Sequence, residues 1–299
     1  MRPAKIARVS NGNPEFGERY FTSRDGLRLF YRDYAGPTPA GVTALCLHGL
    51  TRSSRDFEDL APRLARSRRV LCLDVRGRGR SARDPQPARY VPPTYAQDVL
   101  ELLDTSGVER VAVIGTSMGG ILALLLAALR PAAIAAVVLN DVGPVVDPAG
   151  LARIAGYVGK SSDVASWEAA ALAVQALNAA FFPEFRRADW LRFARRTYRE
   201  DPDGKLRPAY DPAIAEATRA GGAVPPDLWA LWSALASIPA LAIRGELSDI
   251  LSEPTLTEMA RRKPDLEVLR VANRGHAPTL DEPECVAAIE RFLFRIAAS

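Results

Sequence analysis

The sequence predicts an α/β fold built on a parallel sheet with helices on both faces. Three observations predict it. Short, nearly continuous apolar runs end in glycine or polar residues. Segments of helical spacing separate them, and one strand-to-helix junction carries the pentapeptide "GTSMG".

Taken in order, "RLFYRDY" (28–34) alternates as a strand. "VTALCLHG", "RRVLCLDV", "RVAVIGTS" and "IAAVVLNDV" read as buried strands. Between them "RDFEDLAPRLAR", "TYAQDVLELLDTSG" and "MGGILALLLAALRP" repeat their apolar residues every three to four positions and stop at Gly or Pro. From Gly143 the pattern changes to Ala-rich helical segments broken by "DPDGKLRPAYDP" and "GGAVPP", with no clear strand. Strands resume with "PALAIRGELSD" and "LEVLRVANRGH", each followed by a helix. The simplest organisation is one discontinuous α/β core, 1–142 and 236–299, with a helical insertion at 143–235.

Composition narrows the function. The chain has 299 residues, 48% of them hydrophobic, so it can bury a large core without staples. A net charge of +4, with no Lys/Arg block, excludes a nucleic-acid module. Three cysteines (Cys46, Cys72, Cys285) without CxxC spacing argue against a disulfide framework or a metal site. The first twenty residues carry no apolar signal segment, and no apolar run is long enough to span a bilayer. The expectation is a cytoplasmic protein acting on a small molecule, with no membrane span. Oligomeric state is not legible.

In the insertion, "ADWLRFARRTYRE" puts Trp190, Phe193, Ala194 and Thr197 on one helical face and Arg192, Arg195, Arg196 and Arg199 on the other. The basic face could attract anions or a membrane, but 143–236 holds 11 basic and 11 acidic residues, which favours a merely solvated face. All four tryptophans lie in the insertion. With "NAAFFPEF" they suggest an apolar acyl or aromatic pocket, or equally an insertion packing on itself.

The chemistry centres on Ser117. A strand-to-helix turn this tight strains the serine, and Gly115 and Gly119 let the chain pass, lifting the hydroxyl off the sheet edge. A serine hydroxyl needs a base, and the chain has only two histidines, His48 and His276. His276 sits in a glycine-flanked loop after the last strand pattern, and Asp249 ends the preceding strand. Asp141, in "LNDVGP", ends another and competes with Asp249 for the role of acid.

The order Ser117, Asp249, His276 together with "LHGLTRSS", "DVRGRGRS", "GTSMGG", "RGELSD" and "NRGH" resembles the α/β-hydrolase fold family over nearly the whole chain. The resemblance implies a mostly parallel eight-stranded sheet, a helical lid and no cofactor. It also implies a Ser–His–Asp hydrolase in which Ser117 attacks, His276 is the base and Asp249 orients it. The backbone N–H groups of Leu50 and Met118 would form the oxyanion hole. His48 and Gly49 would be structural, as would Asp74 and Arg76. A single His-Gly followed by Leu resembles the group acting on simple acyl esters. Cleavage of dienoic carbon–carbon bonds, and lactonase, thioesterase or perhydrolase activity, use the same residues. A non-catalytic small-ligand-binding module of this fold is the alternative from another class.

Overall fold

The computed structural model describes residues 16–37, 41–160, 162–219 and 228–296. Residues 1–15 and the "GGAVPP" break lie outside them. Eight strands form one sheet in the order β1 (Phe16–Thr22), β2 (Arg28–Tyr34), β4 (Arg68–Leu73), β3 (Gly41–Leu47), β5 (Val111–Thr116), β6 (Ile134–Asn140), β9 (Ala240–Gly245) and β10 (Glu267–Val271). Strand β2 pairs antiparallel with both β1 and β4, and every other pairing is parallel. Seven of these strands match the sequence expectation. Strand β1 does not, because as an edge strand with charged residues it buries only Phe21.

The central strands divide their side chains between two cores. Leu45 and Leu47 of β3, Val111 and Val113 of β5, and Val137 and Leu139 of β6 face one layer of helices. Their neighbours Ala44 and Cys46, Ala112 and Ile114, and Ala136 and Val138 face the other. The first layer contains α2 (Pro92–Ser106) and α3 (Met118–Leu129), and the second α1 (Leu60–Leu64) and α10 (Pro283–Phe294). A strand buried on both faces cannot afford polar alternation, which is why these runs are continuously apolar.

Between β6 and β9 the chain leaves the sheet. It forms α4 (Pro148–Tyr157), α5 (Trp167–Asn178), α6 (Arg187–Thr197), a hairpin of β7 (Tyr198–Glu200) and β8 (Leu206–Pro208), α7 (Ile214–Arg219) and α8 (Trp229–Trp232). The hairpin was not expected, since three residues per strand leave no periodicity to read. Trp190 packs edge-on to Phe182 and Phe185, with Phe193 beside it, in a cluster internal to α5 and α6. Trp232 belongs to the main core. Helix α9 (Glu253–Arg262) follows β9.

The basic face of α6 departs from expectation. Arg196 is buried and pairs with Asp59, and Arg195 lies over the Trp167 ring at 4.6 Å. Arg196 thus ties α6 to the core rather than standing in solvent.

Two glycines fix where α3 meets the sheet. A Cβ on Gly119 would lie 2.0 Å from the Leu47 carbonyl oxygen, and one on Gly115 would lie 2.3 Å from the Gly119 carbonyl oxygen. Both obstacles are backbone and cannot swing aside. Gly119→Ala is therefore expected to cost about 3 kcal/mol, a fall in melting temperature of about 6–12 °C by calorimetry. An unchanged melting temperature would mean that α3 can move away from β3.

Candidate active site

Parallel strands place their carboxyl ends on one edge of the sheet, and the chemistry-bearing residues collect there. Ser117 follows β5, Asp141 follows β6, Ser248 and Asp249 follow β9, and His276 follows β10. Ser117 has φ 52° and ψ −115°, a conformation an L-residue adopts only under constraint. Its N–H donates to the Asn140 carbonyl at 3.0 Å, and its own carbonyl accepts the Gly120 and Ile121 N–H groups that start α3.

The Ser117 hydroxyl lies 2.8 Å from His276 Nε2. His276 Nδ1 lies 2.7 Å from Asp141 Oδ2. The arrangement requires an Nδ1–H donating to the carboxylate and a bare Nε2 accepting from the hydroxyl. Asp141 is wholly buried at φ 57°. Its Oδ1 accepts the Gly245 N–H at 2.9 Å, and Oδ2 also accepts the Ser248 hydroxyl at 2.6 Å. Ser248 Oγ in turn accepts the N–H groups of Ile250 and Leu251 at 3.1 Å each.

Asp249, the expected acid, is elsewhere. Both its oxygens accept from Arg153 of α4, at 2.6 Å from Nε and 2.8 Å from the terminal nitrogen. Burial pushes its carboxyl up, but the fork from Arg153 more than offsets this and leaves it below the usual range. The physical reason is competition: Asp249 meets a guanidinium from the insertion, while the last residue of β9 hands Asp141 a backbone N–H and the turn after it a hydroxyl. Sequence reasoning did not single out Ser248. Its only signal is its position beside Asp249.

His48 is fully buried, and its two nitrogens have fixed roles. Nε2 accepts the Val75 N–H at 3.1 Å, so Nδ1 carries the proton and donates to the Gly49 carbonyl at 2.7 Å. Gly49 faces the serine, since a Cβ there would lie 3.8 Å from Ser117 Cβ. Asp74 supports the same loop, accepting the N–H of Ser54 at 2.6 Å and of Arg80 at 2.8 Å. Arg76 is locked by Asp25, Asp84 and Asp98.

A cavity opens onto Ser117 and His276. The core contributes Gly49, Leu50, Arg52 and Thr116, and the insertion contributes Ile154, Tyr157, Val174, Leu177, Asn178, Phe193 and Thr197. None of the four tryptophans lines it, and of "NAAFFPEF" only Asn178 does. Of the two readings left open for these residues the packing one holds, with Trp190, Phe182 and Phe185 inside the insertion and Trp232 in the main core. Arg52 grips Asp56 through Nε and one terminal nitrogen and donates to Thr197 with the other. Among the described residues no group of three or more His, Cys, Asp or Glu side chains is placed to hold a metal ion, and no helix is long and apolar enough to cross a membrane.

Burial lowers the His48 pKa, so the folded ring resists the proton that the unfolded chain takes up near 6.5. Stability is therefore expected to fall as pH drops below about 6.5. In a ¹⁵N NMR titration, His48 should hold the neutral Nδ1–H form to a lower pH than an exposed histidine does. A His48 that takes up its second proton at or above the ordinary histidine value would contradict the assignment.

The sequence model of a family described as alpha/beta hydrolase fold matches residues 44–283. A 3-hydroxybutyrate-oligomer hydrolase of Cupriavidus necator is 33% identical, across 94% of this chain and 98% of its own. A 2-(acetamidomethylene)succinate hydrolase of Mesorhizobium japonicum is 29% identical, across 85% and 88%. The crystal structure of an alpha/beta hydrolase from Novosphingobium aromaticivorans superposes with a TM-score of 0.90 at 50% identity, covering 95% of this chain and 100% of that one.

Proposed function

The chain belongs to the α/β-hydrolase family, and from that premise we propose that it is a serine hydrolase of short, polar carboxylic esters, with oligoesters of hydroxy acids as the leading substrate class. The observation that carries the reading is the unbroken chain from the Ser117 hydroxyl through His276 to Asp141, at 2.8 and 2.7 Å.

Ser117 Oγ attacks the ester carbonyl carbon as His276 Nε2 takes its proton. Asp141 holds the Nδ1–H tautomer and stabilises the imidazolium. The carbonyl oxygen becomes an oxyanion, received by the N–H groups of Leu50 and Met118, each worth on the order of 3 kcal/mol. Collapse expels the alcohol, which takes the proton back from His276. Water, activated by the same imidazole, then hydrolyses the acyl-serine.

The insertion acts as a lid over this site. Its Asn178 and Thr197, with Thr116 and Arg52 of the core, give the cavity polar walls, while Ile154, Val174 and Phe193 are apolar. That mixture suits a short acyl chain bearing a hydroxyl or ester oxygen better than a fatty acyl chain, whose burial needs an apolar tunnel. The oligomer hydrolase of C. necator, by its name, acts on a substrate of this kind.

Hydrolysis of p-nitrophenyl esters of increasing chain length, alongside the linear dimer and trimer of 3-hydroxybutyrate, tests the class. Short esters and the oligoesters should lead. A kcat/KM that climbs steadily to long fatty acyl chains would refute it.

The residue roles have their own test. Ser117→Ala should lose about 10⁶ in kcat, and fluorophosphonate labelling with it. Asp141→Asn should cost about 10⁴, because the imidazole loses the acceptor that fixes its tautomer. Asp249→Asn should stay within about tenfold of the parent, since Asp249 partners Arg153. The reverse ranking of the two aspartates would return the acid to Asp249.

A further inference from the structure

Arg78 is a buried cation that none of the chemistry described above uses. It is 1% exposed, and among the described residues no carboxylate lies within ion-pair distance of it. A guanidinium stripped of water and left without a counter-charge is costly, so its partners need an explanation. Nε donates to the Leu50 carbonyl at 2.9 Å, and one terminal nitrogen donates to the Arg76 carbonyl at 2.8 Å. The other lies 3.6 Å from the Met118 sulfur. The ring of Tyr95 lies 4.7 Å and that of Tyr90 5.7 Å from the guanidinium carbon, which supplies cation–π attraction in place of an anion.

Leu50 and Met118 are the two residues whose N–H groups were assigned above to the oxyanion. One guanidinium touches both, Leu50 at its backbone carbonyl and Met118 at its side-chain sulfur. In a trans peptide the N–H points opposite to the carbonyl of the same unit. His48 Nδ1–H holds the Gly49 carbonyl, which turns the Leu50 N–H to the opposite side. Arg78 holds the next carbonyl, that of Leu50 itself. The peptide units on both sides of the Leu50 Cα are thus clamped by side chains, one by His48 and one by Arg78.

We propose that Arg78 is a positioning residue for the oxyanion hole: its fork fixes Leu50 and Met118 relative to each other, and its uncompensated charge favours the anion that develops beside them. The proposal rests on the serine-hydrolase reading. Lysine keeps the charge but, with its donors on one compact ammonium and no planar fork, it cannot reach all three partners in the same geometry.

The test compares Arg78→Met, Arg78→Lys and Ser117→Ala on a short p-nitrophenyl ester. It also measures inhibition by a boronic acid, whose tetrahedral serine adduct presents an oxygen to the same N–H groups. In Arg78→Met, kcat should fall about 100-fold with KM within about threefold, the signature of a lost transition-state contact. Boronate affinity should fall by a similar factor, and Arg78→Lys should recover part of both. A folded Arg78→Met with parental kcat and boronate affinity overturns the proposal. If Arg78→Met does not fold, Arg78→Lys decides: a lowered melting temperature with both constants unchanged means a structural role only. Turnover surviving in Ser117→Ala would instead sink the serine reading, a failure separate from that of Arg78.

Discussion

The turn at Ser117 is the constraint on which the arrangement depends. A residue at φ 52° and ψ −115° is held there because Gly115, next to last in β5, packs against Gly119, Gly119 in the first turn of α3 packs against the Leu47 carbonyl, and neither glycine has room for a methyl group. The same turn makes Ser117 N–H donate to Asn140, the last residue of the adjacent strand. Strand register then sets the rest. Asn140 lies opposite Ile243, so the next residue, Asp141, meets the last residue of β9, Gly245, and Ser248 in the turn that follows. Strand β10, beside β9, ends near His276. The hydrogen-bonded chain is assembled from three strand ends because the strands are parallel and in register.

Much of this was legible in the sequence, and what was not has a physical cause. The continuous apolar runs of β3 to β6 are readable because both faces of each strand are buried. "GTSMG" is readable because the steric demand of the turn acts within five residues. Choosing between Asp141 and Asp249 was not possible in that way. Both carboxylates follow a strand, and what separates them lies far off in the chain: Gly245 and Ser248 satisfy Asp141, while Arg153 captures Asp249. Local pattern carries no information about partners a hundred residues distant. Arg196 shows the same limit, since helical spacing put it on a solvated face and its pairing with Asp59 across the molecule buried it.

Arginines bind the insertion to the core, among them three near the cavity that do so in different ways. Arg153 reaches from α4 to Asp249, Arg196 from α6 to Asp59, and Arg52 from the core to Thr197. These contacts surround the cavity rather than fill it, so cavity shape follows how the insertion is docked. In the proposed reading, acyl selectivity is a property of α4, α5 and α6, and the chemical step is a property of the sheet edge. A substitution in the insertion would then alter KM and chain-length preference while leaving the Ser117–His276–Asp141 geometry alone.

The most direct measurement of the central claim is a crystal structure of the protein after reaction with diethyl p-nitrophenyl phosphate. The account predicts phosphorus bonded to Ser117 Oγ, the phosphoryl oxygen within hydrogen-bond reach of the Leu50 and Met118 N–H groups, and His276 Nδ1 still on Asp141. Phosphorus on any other side chain, or His276 turned to Asp249, would contradict it.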